Sequence, residues 1–172
     1  MIDEQLARKA FETAINYLSI SARSEKEVNE KLYKKRFHRD VVDVTIEKLK
    51  GYKYIDDEQY VSAYLSFYGS KYGRKQLSYK LVMDKGVDKL LVENIIADKI
   101  SDEVEIEKGV GVAVKYIARK KLEKKDRTKL ANWLFSKGFE WDIINKVLPQ
   151  IEYFDRANSE IDFEDKAGNE EF

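Results

Sequence analysis

Side chains able to hold a metal, move a proton or attack a carbonyl are few in this chain. The only histidine, His38, has neither a second histidine nor any cysteine with which to share a metal ion, and the usual zinc spacings are absent. It reads as a lone surface histidine. Asp56 and Asp57 are adjacent carboxylates, a pairing that can bind a divalent cation or divide acid and base roles. Neighbours on a helix point about a hundred degrees apart, however. An aspartate ahead of a helix also has a more ordinary task, accepting from the free N–H groups of the first turn. Gly109 and Gly111 sit in Lys-Gly-Val-Gly-Val, but no third glycine follows and no strand pattern precedes, so the dinucleotide fingerprint is not met. Neither a G-x-S-x-G elbow nor a G-x-x-x-x-G-K-S/T phosphate loop occurs. The residues predict no enzyme, no cofactor and no metal.

What remains is charge. Lys31, Lys34, Lys35, Arg36 and Arg39 fall within nine residues without an acidic neighbour. Lys71, Arg74, Lys75 and Lys80 form a second cluster, and Lys115, Arg119, Lys120, Lys121, Lys124 and Lys125 a third that only Glu123 interrupts. Aligned, three such clusters make a stripe able to neutralise successive phosphates, and Tyr68 and Tyr72 beside the middle one are placed to stack on exposed bases. Basic helical faces are also ordinary solvated surface, and charge alone leaves both readings open.

The elements that must carry these clusters follow from one apolar pattern written three times. Val28, Leu32, Phe37, Val42 and Ile46 step by 4, 5, 5 and 4 residues, and so do Leu130, Leu134, Phe139, Ile144 and Leu148. The middle copy, Leu77, Leu81, Val87, Val92 and Ile96, differs by one extra residue before Val87. A four-residue step keeps two apolar side chains on one helical face, so each copy reads as two short amphipathic helices joined by a tight turn. A unit this short cannot bury its own stripe alone, which requires neighbouring copies to pack. The fold class expected is all-α: three tandem three-helix modules in an elongated, curved helical-repeat body. The modules are placed at 1–53, 54–101 and 102–151, followed by an acidic, disordered tail at 152–172.

Local signals set the boundaries. A first helix is expected over Glu4–Ile20, burying Leu6, Ala10, Ala14, Tyr17 and Leu18. Ser24 with Glu27 spells a capping box that starts the next helix, which ends before Phe37. Another spans Arg39–Lys50, with Gly51 supplying a left-handed close. Asp56 with Gln59 caps a helix over Glu58–Tyr68, and Gly69 and Gly73 separate it from helices at Arg74–Asp84 and Asp88–Lys99. The last module reads as Val104–Leu122, then Arg127–Ser136 capped by Asp126, then Trp141–Val147 stopped by Pro149. With one proline and helix formers throughout, strand alternation is hardly visible.

Net charge is zero over 172 residues, but residues 1–151 carry 30 basic against 24 acidic side chains, and residues 152–172 carry 2 against 8. A basic body with an acidic tail accompanies polyanion binding, the tail serving as an interaction arm or an internal competitor; a merely solvated terminus is the alternative. Without cysteine there are no disulfides or thiolate chemistry, and without an apolar run of spanning length no membrane segment is expected. A soluble cytoplasmic protein is expected.

Several segments, in order and spacing, resemble the bacterial RecX regulatory proteins. These are Tyr17-Leu18-Ser19, Arg23-Ser24-Glu25-Lys26-Glu27-Val28, Lys35-Arg36-Phe37, Tyr54-Ile55-Asp56-Asp57-Glu58-Gln59-Tyr60, Tyr72-Gly73-Arg74-Lys75-Gln76-Leu77, Lys85-Gly86-Val87 and Lys137-Gly138-Phe139. The resemblance covers about residues 10–150. Three features depart from it. Arg36 stands where the family usually has the glycine of a Lys-Gly-Phe turn, the middle module has its one-residue insertion, and Ser66 and Tyr68 replace common arginines.

The resemblance implies a regulator that binds the RecA recombinase filament on single-stranded DNA as a monomer. It would limit filament growth, ATPase, strand exchange and co-protease activity in recombination, DNA repair and the SOS response. Its partners would be the RecA filament and single- or double-stranded DNA, with no membrane. A helical-repeat DNA-binding protein or an adaptor without RecA regulation is the alternative. Placement and charge make Lys71, Tyr72, Arg74 and Lys75 the first contact candidates, then Arg119, Lys120, Lys121, Lys124 and Lys125, then Arg36 and Arg39.

Overall fold

The computed structural model describes residues 3–122 and 126–151, and among these every regular element is helical. The helices are α1 (Glu4–Leu18), α2 (Glu25–Lys34), α3 (Arg39–Gly51), α4 (Asp57–Tyr68), α5 (Arg74–Tyr79, continued by a π-helical stretch over Lys80–Asp84), α6 (Lys89–Lys99), α7 (Asp102–Lys120), α8 (Arg127–Ser136) and α9 (141–151). Of the fifteen apolar positions in the threefold pattern, all but Phe37 are buried, and Phe37 packs half-buried against the first core. The tail expected at 152–172, and Lys124 and Lys125, lie outside the described residues.

Packing divides the chain into two compact units. Among the described residues, one comprises residues 3–67 and 78–99, the other residues 68–77, 100–122 and 126–151. In the first unit α1, α2 and α3 pack on one another around Ala10, Ala14, Val28, Leu32, Val42, Ile46 and Leu49. Leu6, expected on the buried side of α1, is exposed, because the helix begins before its partners cover it. In the second unit α7, α8 and α9 enclose Val112, Ala113, Leu130, Leu134, Phe139, Ile143, Ile144 and Val147.

Each unit contains the same docking of a helix N-terminus on a turn. In the first, the Ser24 hydroxyl accepts from the Glu27 N–H at 3.3 Å and donates to the Lys85 carbonyl at 2.7 Å, while the Lys85 ammonium reaches Glu27 at 2.9 Å. The expected capping box is present. In the second, the Gly73 N–H donates to the Lys137 carbonyl at 2.9 Å and the Lys75 N–H to the Gly138 carbonyl at 3.2 Å. The contacts are in register with the repeat, since Ser24 precedes Val28 as Gly73 precedes Leu77.

This docking explains the turn glycines. Gly86 and Gly138 have φ of +68° and +88°, and a Cβ at either would fall 2.4 Å from the abutting helix, at Lys26 Cδ or the Gln76 backbone nitrogen. Arg36 occupies the same turn position with φ +64°. It is exposed, so only the left-handed backbone must be met, which costs a non-glycine residue about 1–2 kcal/mol. The helix closes without glycine through Arg36 N–H to Tyr33 O at 2.8 Å and Phe37 N–H to Leu32 O at 3.3 Å. In the middle copy the extra residue is absorbed by the π-helical stretch, where the Lys85 N–H reaches back five residues to Lys80 O and Val87 still enters the core.

Four boundary expectations are corrected. Gly51 lies inside α3, one residue beyond the expected end, and the left-handed residue is Lys53, φ +57°, two residues later than expected. Pro149 does not stop the last helix, which continues to residue 151 and thereby buries Ile151 in the second core. Asp126 stands at the N-cap of α8 with φ −83° and ψ 21°, outside the extended conformation a capping side chain needs, and its carboxylate makes no cap bond. The first helix ends at Leu18, two residues before Ile20.

Candidate functional site

The carboxylate pair that invites a metal or acid–base reading is structural. Asp56 accepts the Gln59 N–H at 2.9 Å, and Asp57 accepts the Glu25 N–H at 3.2 Å, capping α2 from across the unit. Burial raises the Asp57 carboxyl above its ordinary value, against the pull of that N–H. His38 is exposed at the start of α3 with Asp40 3.8 Å away. Among the described residues no three potential ligands converge on a metal position. Gly109 serves packing, since a Cβ there would lie 2.7 Å from Val147 Cγ2.

Arg74, a leading contact candidate, faces inward. Its Nη2 donates to Asp102 Oδ1 at 2.7 Å, its Nε to Glu105 Oε2, and its backbone N–H to Glu105 Oε1 at 2.7 Å. Glu105 thus caps α5 with one oxygen and holds the guanidinium with the other. Its side chain is 2% exposed, and burial raises its carboxyl above the usual range, opposed by the Arg74 N–H and guanidinium. Burial also works against the charged Arg74, but Asp102 and Glu105 outweigh it and raise its pKa. Lys75, one residue on, reaches Glu140 at 2.7 Å.

Beside this neutralised cluster lies a cationic cavity of about 410 Å³. Lys71 and Tyr72 enter it from the segment before α5, Lys115, Tyr116 and Arg119 from α7, and Trp133 and Lys137 from α8 and its closing turn. Tyr116 and Trp133 stack at 3.8 Å with their planes 9° apart. The Lys137 ammonium lies 5.6 Å from the Tyr72 ring and 5.5 Å from Trp133, and the Arg119 guanidinium 5.7 Å from Tyr116. Among the described residues no carboxylate lines the cavity, and Lys115, Arg119 and Lys137 form no ion pair there.

Of the residues chosen from sequence, the fold therefore gathers Lys71, Tyr72 and Arg119. Lys120 ends α7, and Lys121 closes it in the left-handed conformation, φ +51°; both are exposed and neither lines the cavity. Arg39 opens α3 with Asp43 at 3.6 Å, and both Arg36 and Arg39 belong to the other unit.

Two family models match the chain: the first three-helix domain of RecX over residues 10–49 and the third over residues 103–148. The regulatory protein RecX of Clostridium acetobutylicum is 30% identical over 156 residues, covering 88% of this chain and 72% of the relative. The chain belongs to the RecX family. The Bacillus licheniformis RecX is 31% identical over 164 residues, and this chain spans 62% of that relative's length and 60% of the Bacillus velezensis one. The crystal structure of RecX from Lactobacillus salivarius superposes with a TM-score of 0.76 at 29% identity, covering 87% of this chain and 98% of that one.

The third-domain RecX match contains the α7 and α8 wall of the cavity. Tyr116 and Trp133 were not singled out from sequence, and Lys137 only as part of a turn, not as a contact candidate. A signal existed, since Trp133 and Lys137 are four residues apart on one helical face, as are Lys115 and Arg119. No described helix of this RecX chain is long and apolar enough to cross a membrane.

Proposed function

We propose that this chain regulates the RecA recombinase by binding the filament RecA forms on single-stranded DNA and limiting its growth. ATP hydrolysis, strand exchange and co-protease activity fall with it, in recombination, DNA repair and the SOS response. RecX family membership carries this reading. The chain acts as a cytoplasmic monomer with no catalysis of its own, and its three tandem modules offer contacts at intervals, so that one molecule engages neighbouring protomers and gains avidity a free RecA subunit cannot supply.

The cationic cavity supports a second reading, a helical-repeat protein that binds DNA without a recombinase. ATP hydrolysis by RecA from the same organism on single-stranded DNA, with this chain titrated below one copy per RecA, separates the two. Suppression at such ratios is the expected result. Unaltered hydrolysis, with folded protein and active RecA, removes inhibition as the role.

A further inference from the structure

We propose that the cavity of the second unit seats one unstacked base of single-stranded DNA together with its flanking phosphates. This rests on reading that face as the contact face and adds the ligand's chemistry, which needs no recombinase to be present. Four cations, Lys71, Lys115, Arg119 and Lys137, line about 410 Å³, with no carboxylate among the described lining residues. Three carboxylates of the same unit are engaged elsewhere: Glu105 and Asp102 hold Arg74, and Glu140 holds Lys75. The charged groups in the described lining are therefore all cationic.

Aromatic lining decides between anions. Tyr72 and Trp133 are half-buried in the cavity wall, with the Lys137 ammonium near both rings. A carboxylate peptide satisfies the cations but has no flat face with which to extend the Tyr116–Trp133 stack. A base has a π-face for the rings, and its phosphates take the ammonium and guanidinium groups, a combination worth about 1–3 kcal/mol per stacked base. The volume lies within the roughly 300–1,000 Å³ of sites for small molecules and cofactors. Duplex DNA offers the same phosphates but keeps its bases stacked, so it engages only the cations.

Because Trp133 and Trp141 are the only tryptophans, a Trp141→Phe protein reports on the cavity alone. Titration of that protein with an oligothymidylate, without RecA, is expected to quench Trp133 emission. The strand should bind about ten-fold more tightly than an abasic strand of equal length or polyglutamate. Arg119→Ala with Lys137→Ala is expected to weaken binding at least about ten-fold and to flatten the slope of log K against log salt by about 1.4, two phosphates at 0.7 each. Arg8→Ala, exposed on α1 in the first unit, leaves affinity unchanged, and circular dichroism checks that each variant is folded. Equal affinity for the abasic strand or for polyglutamate overturns the proposal in favour of backbone-only or acidic-protein contact. Wild-type affinity in the folded double variant overturns it as well. None of these results depends on RecA ATPase, so either reading can fail while the other stands.

Discussion

Replacing Arg74 by alanine should damage the fold of the second unit before it touches any binding surface. The substitution removes the guanidinium and leaves Glu105, 2% exposed, without its cation. Removing one member of a buried pair costs about 3–5 kcal/mol. The figure here is lower, about 2–3 kcal/mol, because Arg74 is itself a quarter exposed, its bond to the 44% exposed Asp102 is partly solvated, and Glu105 keeps the backbone N–H of residue 74. Both tryptophans lie in this unit, so urea unfolding followed by their emission reads it directly. With a urea slope of about 1–3 kcal/mol per molar, the midpoint should fall by about 0.7–3 M.

The pH dependence gives that loss a sign. Glu105 titrates above its ordinary 4.5 because of burial, and losing the cation raises it further. A carboxyl whose folded pKa exceeds its unfolded one binds more protons in the folded state, so stability falls as pH rises from 4.5 through the folded value. The deficit of Arg74→Ala is therefore full well above that window and shrinks as pH is lowered into it. A deficit below about 1 kcal/mol at neutral pH, or one that does not shrink on acidification, would show that this pair does not hold the start of α5.

Two further perturbations test the packing argument. Gly73→Ala puts a Cβ 2.4 Å from the Gly138 carbonyl oxygen and 2.5 Å from the Phe139 nitrogen, all backbone, and should cost about 1–3 kcal/mol or more. Gly51→Ala, helical with nothing within 4 Å, should stabilise by about 0.5–1 kcal/mol; thermal melts that fail to separate the two variants contradict the docking of α5 on its turn. Burial alone would raise the Glu27 carboxyl, but the Lys85 ammonium, the Ser24 N–H and the Tyr60 hydroxyl bring it below 4.5. Its stabilisation is present above pH 4.5 and is lost as pH falls through the folded value, so urea midpoints should drop on acidification more in the parent than in Glu27→Gln. Parallel midpoints in the two proteins would remove Glu27 as the source.

The apolar spacing was enough to identify the buried face of all three copies, because a helix repeats every 3.6 residues wherever it sits. Ser24 with Glu27 likewise marked a helix start, since every atom of a capping box lies within four residues. The one-residue insertion was visible too, and its accommodation as a π-helical stretch follows from keeping Val87 in the core. Errors arose where a distant neighbour outweighed the local signal. Pro149 is carried inside α9 because Ile151 gains a place in the core. The Arg36 turn does close without glycine, as its sequence required, and can do so in left-handed backbone because it stands exposed.

The division is sharpest among the basic residues. Sequence alone determined that the clusters exist, that they ride on short helices, and that Lys71, Tyr72 and Arg119 belong among the candidates. Tertiary structure decided which charges remain available. Arg74 and Arg119 look equivalent in sequence, yet Glu105, 31 residues from Arg74, takes its guanidinium, while Arg119 lines a cavity whose other walls are built by α8 and the segment before α5. A charge is cancelled by whatever lies within a few ångströms of it, and that distance is set by chain folding over tens of residues, beyond the reach of any local pattern.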